Sequence, residues 1–179
     1  EVEYFGEKMY LTQSPQFYKQ MMVGVYERVF EVGKVYRAEG SNSNKHLTEF
    51  TGFEAEMGFI ESVEEVMQME ENVFEYIFNH LNKVCAKELS YLGVELKFNP
   101  IPRISYTEAI EIIKSEYIIT YDKVGLNTEA ERLISEYIFN KTGSEFVFIT
   151  KYPLSERPFY AMPSIEEGCS ETFELLYKS

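Results

Sequence analysis

Arg37, Glu39, Phe50, Gly52 and Glu54 are the residues of this sequence whose types and spacing offer the most chemistry. They lie on two segments, VFEVGKVYRAE and LTEFTGFEAEMGF, separated by the polar stretch GSNSNKH, a pattern that reads as two antiparallel strands and a loop. Strand side chains alternate between faces, so Arg37 and Glu39 project together, away from Phe30, Val32, Tyr36 and Ala38. On the returning segment Phe50, Gly52 and Glu54 share one face, and Thr51, Phe53, Ala55, Met57 and Phe59 share the other. One face is apolar and suited to packing. The other offers a guanidinium, two carboxylates, an aromatic ring, and a glycine where a ligand can approach the backbone closely. A guanidinium grips phosphate or carboxylate oxygens through paired N–H donors, and a phenyl ring can stack on a planar base. On residue types alone, an ion pair of Arg37 with Glu39 or Glu54 on a solvated sheet face accounts for the same pattern.

The surrounding elements must hold that hairpin and bring other groups to it. Residues 7–13 alternate as a short strand, and Ser14 followed by Pro15 is a helix start, because serine can cap free N–H groups and proline loses nothing at the first helical position. In the helix that follows, Gln16, Lys19 and Gln20 fall on one side, while Phe17, Met21 and Met22 are left to pack. A solvated polar helix face is the plain alternative. Beyond the hairpin, Ser62 and Glu65 form a capping box. Val63, Val66, Met67, Val73, Phe74, Ile77, Phe78, Leu81 and Val84 then recur at helical spacing, predicting one long packing helix that ends near residues 92–93. Pro100 and Pro102 mark a connector. Ser105 with Glu108 starts one further helix and Thr128 with Glu131 another, which Gly143 closes. Residues 145–150 (EFVFIT) read as a buried strand, the proline-rich KYPLSERPFYAMPS as a loop, and TFELLY as a last strand. Without repeats or low-complexity linkers, residues 1–179 read as one domain or most of one, of α+β class. Its parts are the hairpin region 35–59, a helical and connector region of about 62–142, and returning strands and loop over 145–179.

Composition bounds the function. A chain of 179 residues, 45% hydrophobic and 16% aromatic, can bury an ordinary core. A net charge of −13 argues against broad nonspecific binding to DNA or other nucleic acid through a basic surface. Cys85 and Cys169 are too few and too far apart for a disulfide framework or a zinc site, which favours a reducing, cytoplasmic setting. No run is apolar enough to span a membrane, and no targeting peptide stands at the start.

Arg-Ala-Glu, a short polar loop, then His-Leu-x-Glu-Phe resembles motif 2 of the class II aminoacyl-tRNA synthetases, in the subgroup that charges aspartate, asparagine and lysine. Gln-Ser-Pro-Gln-Phe-Tyr-Lys-Gln, residues 13–20, is similar to the QSPQLYKQ element of the aspartyl-tRNA synthetases, and residues 151–164 to their YPLxxRPFYxMP segment. Three motifs in the right order identify the chain as a partial catalytic domain of the archaeal and eukaryotic-cytosolic branch of that family. The resemblance implies a mixed, mostly antiparallel sheet flanked by helices. It implies a reaction in which aspartate and ATP give aspartyl-adenylate and pyrophosphate, followed by transfer of the aspartyl group to the acceptor end of tRNA. Arg37 is then the catalytic residue. Ser14, Gln16, Lys19, Glu54 and Tyr160 bind the amino acid, and Arg37, Glu39, Lys45, His46, Leu47 and Phe50 bind ATP. Magnesium accompanies the nucleotide through ligands mostly beyond this chain, and the full-length parent is a homodimer.

Two positions depart from the family pattern: Glu54 replaces an aspartate, and Lys45 replaces an arginine. The anticodon-binding barrel, motif 1, the glycine-rich magnesium segment and the arginine of motif 3 are not in this chain, so the piece alone is expected to be inactive. An asparaginyl-tRNA synthetase, a tRNA-independent asparagine synthetase, and a noncatalytic binding module stay open as alternatives.

Overall fold

The computed structural model describes residues 1–38, 40, 46–117 and 125–178. They fall into two compact units, Glu1–Glu61 and Ser62–Ser179.

The first unit opens with a small antiparallel hairpin, β1 (Val2–Tyr4) with β2 (Glu7–Met9). The strand expected over residues 7–13 is thus confined to its first three. Helix α1 (Gln16–Tyr26) follows. Ser14 Oγ accepts from the Gln16 N–H at 3.1 Å and the Pro15 carbonyl from the Lys19 N–H at 3.0 Å, but the N-cap is Pro15 and the first helical residue Gln16, one position later than expected. Strands β3 (Arg28–Tyr36) and β4 (Glu49–Met57) pair antiparallel from Arg28 opposite Met57 to Tyr36 opposite Glu49.

The two faces of this hairpin are used in the reverse of the expected way. The apolar face, with Phe30, Val32 and Phe53, is the exposed one, at 72, 60 and 59%. The face bearing Glu31, Gly33, Val35, Phe50, Gly52 and Glu54 is half-buried to buried, and α1 packs against both strands. On that face α1 carries Lys19 and Gln16, whose partners are carboxylates on β4.

The second unit holds both hydrophobic clusters. Its helices are α2 (Val63–Val84), α3 (Ala86–Leu92), α4 (Tyr106–Glu116) and α5 (Thr128–Thr142), and its strands β5 (Arg103–Ser105), β6 (Phe146–Thr150) and β7 (Phe173–Tyr177). The central β6 pairs parallel with β5 and antiparallel with β7. It is buried on both faces, hence its unbroken apolar run. One cluster packs Ala109 and Ile113 of α4 and Ala130, Ile134 and Ile138 of α5 against Val147 and Ile149. The other packs Met67 and Phe78 of α2 against Phe146 and Phe148, with Phe74 and Val63 beside them. Val63, Met67, Phe74 and Phe78 of the α2 stripe are thus taken up by this cluster, while Ile77 and Val84 stay exposed.

The single long helix expected after Ser62 is interrupted. Cys85 leaves helical geometry at φ −115° and ψ 23°, and α3 starts directly after it and ends on Gly93 in the left-handed region. Ser105 and Glu108 form the expected capping box, with Ser105 N–H donating to Glu108 Oε2 at 2.7 Å and Glu108 N–H to Ser105 Oγ at 3.2 Å. For α5 the cap is Asn127, not Thr128: its Oδ1 accepts from the Ala130 N–H at 2.9 Å. Gly143 closes that helix at φ 74°.

Among the described residues three of the four strand pairings are antiparallel, and the fold is α+β. Among the described residues no helix is long and apolar enough to cross a membrane.

Candidate functional site

The site is built on the half-buried face of the β3–β4 hairpin. At its open end, the Tyr36 N–H donates to the Thr12 carbonyl at 2.8 Å and the Arg37 N–H to the Thr48 carbonyl at 2.9 Å, which fixes the backbone where Arg37 emerges. Arg37 Nε donates to the Gln13 carbonyl at 3.3 Å, and its guanidinium carbon lies 5.5 Å from the centre of the Phe50 ring. That is within the range of a cation–π contact. Arg37 makes no ion pair among the described residues, so the surface pairing with Glu54 that residue types alone allow does not form.

Next along the face, Gly33 stands opposite Gly52. Two glycines facing each other across the hairpin leave a strip of bare backbone between Val35 with Phe50 on one side and Glu31 with Glu54 on the other. A Cβ added at Gly33 would come within 3.1 Å of Glu31 Oε1, the end of a flexible side chain that would give by a few tenths of an ångström. Alternation pointed to Gly52; its partner Gly33 becomes apparent only with the register.

At the far end of the face, α1 delivers Lys19 and Gln16. Lys19 is only 6% exposed, and its Nζ lies 3.0 Å from Glu54 Oε2 and 3.7 Å from Glu56 Oε2. Gln16 Nε2 donates to the same Glu56 oxygen at 3.0 Å. A buried ammonium needs such partners, because leaving it unpaired away from water is costly. Lys19 was expected to turn its ammonium toward the amino acid; within the chain it is already paired, with Glu54 the nearer of the two carboxylates. Glu56 was absent from the site as read from sequence, although it shares the face of Glu54 by simple alternation; extending the period by one step would have found it.

The other expected site residues are distributed as follows. His46 and Leu47 lie on the strand approach and are exposed, Leu47 at 61%. Glu39 and Lys45 lie outside the described residues. Tyr160 belongs to the second unit, 76% exposed beside Phe159, with ring centres 5.4 Å apart. The described residues contain no group of three or more His, Cys, Asp or Glu side chains that could hold a metal ion.

The family description "tRNA synthetases class II (D, K and N)" matches residues 2–179, all but the first residue of the chain. The chain belongs to this family. An aspartate–tRNA(Asp/Asn) ligase of Deinococcus radiodurans is 43% identical over 185 residues, covering 99% of this chain and 42% of that protein. An aspartate–tRNA(Asp) ligase of Pyrococcus abyssi is 40% identical, covering 99% and 41%. Among solved structures, the aspartyl tRNA synthetase of Entamoeba histolytica superposes with a TM-score of 0.83 at 36% identity, over 95% of this chain and 37% of that one. The asparaginyl-tRNA synthetase of Pyrococcus horikoshii, complexed with asparaginyl-adenylate, gives 0.84 at 27% identity over 99% and 41%. The class II synthetase chain described here thus spans about two-fifths of the length of the relatives it matches.

Proposed function

We propose that the protein to which this chain belongs is an aspartate–tRNA ligase, and that the hairpin face with α1 is the part that binds aspartate and ATP. The observation that carries the reading is the order of groups along one face: Arg37 over Phe50, a bare strip at Gly33 and Gly52, then Glu54, Lys19 and Gln16. Phe50 and Glu54 are four residues apart on one strand, about 13 Å at the rise of an antiparallel strand. A nucleotide base on the ring and an amino acid at the lysine then meet over the bare strip, with the α-phosphate between them.

The reaction proceeds in two steps. An oxygen of the aspartate α-carboxylate attacks the α-phosphorus of ATP, the bond to the β-phosphate oxygen breaks, and pyrophosphate leaves. The terminal ribose hydroxyl of tRNA then attacks the aspartyl carbonyl and AMP leaves. Neither step needs a protein nucleophile, so the work is positioning and charge stabilisation. Arg37 holds the carboxylate and α-phosphate together through paired N–H donors. Phe50 stacks on the base, and Glu39, His46, Leu47 and Lys45 complete the nucleotide side. Ser14, Gln16, Lys19 and Glu54 form the amino-acid side. A homodimeric, cytoplasmic parent accords with this reading, and an Arabidopsis relative at 39% identity is named as cytoplasmic.

Aspartate is favoured over asparagine because, among solved structures, the aspartyl enzymes are 36 and 30% identical to this chain and the asparaginyl ones 26 to 27%. Pyrophosphate exchange by the full-length protein, run with aspartate or asparagine and without tRNA, tests it. Exchange with aspartate is expected. Exchange with asparagine alone would reassign the substrate, and none with either would make the chain part of a noncatalytic module.

A further inference from the structure

Glu56 has no role in the scheme above, yet its position gives it one. A single oxygen, Oε2, accepts from Gln16 Nε2 at 3.0 Å and stands 3.7 Å from Lys19 Nζ. An ionised carboxylate only accepts hydrogen bonds, whereas a glutamine amide has a donating end and an accepting end. Glu56 therefore admits only the nitrogen of Gln16, and the amide oxygen, Oε1, is turned away from it. Without the carboxylate the two ends of the amide could exchange by a half-turn about the last side-chain bond. Lys19 Nζ is attracted by the same oxygen at 3.7 Å and pairs more closely with Glu54 Oε2 at 3.0 Å.

We propose that Glu56 is a positioning residue of the amino-acid site: it fixes the amide of Gln16 so that its oxygen, not its nitrogen, faces the ligand, and it steadies Lys19 beside it. An amide oxygen next to carboxylates suits a positively charged N–H donor, the ammonium of an amino acid. The ammonium of Lys19 suits a carboxylate. This inference rests on the reading of the hairpin face as an aspartate site.

The test is aspartate-dependent ATP–pyrophosphate exchange by the full-length protein. Glu56→Gln keeps the shape but can offer either end of an amide, so the orientation of Gln16 is no longer set. The KM for aspartate is expected to rise about tenfold or more, the effect of a lost charged hydrogen bond. The KM for ATP and kcat should stay within about twofold, since the loss falls on binding of one substrate. The double variant Glu56→Gln, Gln16→Glu restores one donor facing one acceptor with the ends exchanged, again leaves an oxygen toward the ligand, and should recover most of the aspartate KM. Should Glu56→Gln fail to fold, Glu56→Asp carries the same test, because it keeps the charge but draws the oxygen back from Gln16. An unchanged aspartate KM, or aspartate and ATP KM values that rise together, overturns the positioning role, as does a double variant no better than the single one. If the wild-type protein activates aspartate while Glu56→Gln is indifferent, only this inference falls; if the wild-type protein activates no aspartate, the reading of the site falls and takes the inference with it.

Discussion

The Phe50 ring is shared between two partners, the protein's own guanidinium and the proposed base. With Arg37 5.5 Å from the ring centre, truncating the ring removes both the base platform and the surface against which the arginine rests. Phe50→Ala in the full-length protein should weaken nucleotide binding by about 1 to 3 kcal/mol, the worth of stacking a base on an aromatic side chain. Calorimetric titration with ATP measures it, and an unchanged affinity would make the ring ordinary packing. At this scale the sequence was readable where chemistry follows from alternation along one strand, as for Phe50 and Glu54, and unreadable where it depends on what another element brings. That Lys19 would be buried and paired could not be seen from α1 alone, because the carboxylate that reaches it lies 35 positions away.

Among the elements, the helix termini separate what local pattern can decide from what it cannot. Both Asn127 and Thr128 are good caps, and the Thr128 with Glu131 spacing favoured the second. The backbone chose the first: Asn127 is extended at φ −85° and ψ 170°, and its side chain meets the Ala130 N–H. Asn127→Ala should therefore cost about 1 kcal/mol of stability, while Thr128→Ala should cost a few tenths at most; urea denaturation of the two variants compares them directly. The box at the start of α4 gives a pH prediction. The Ser105 backbone N–H, donating to the Glu108 carboxylate, holds that carboxyl below its usual range, with the Ser105 hydroxyl adding to the effect. A carboxyl with a depressed folded-state pKa stabilises the fold above its unfolded pKa, and that contribution fades as pH falls through the folded value. Glu108→Gln should thus destabilise the protein at neutral pH and flatten the acid side of the stability profile. Equal acid sensitivity of mutant and parent in thermal melts across pH 3 to 7 would rule out this origin.

For the molecule as a whole, the α+β class and the adjacency of the two site strands were legible, since both follow from alternating and helical periods within contiguous segments. The division into two units was not, nor was the parallel pairing of β5 with β6, because pairing across more than forty residues leaves no local period. The division places the stability determinants in the second unit, where Phe148 is fully buried between α2 and the sheet. Phe148→Ala should cost about 3 to 5 kcal/mol, visible as a lowered denaturation midpoint. The central claim belongs to the first unit, and Lys19 tests it most directly: Lys19→Met in the full-length protein, which keeps most of the stem and removes the charge, measured by aspartate-dependent pyrophosphate exchange with ATP binding as the control. The account expects an aspartate KM raised about tenfold to over a hundredfold, the worth of one charged hydrogen bond, with ATP binding nearly intact. A variant that activates aspartate as well as the parent does would contradict it.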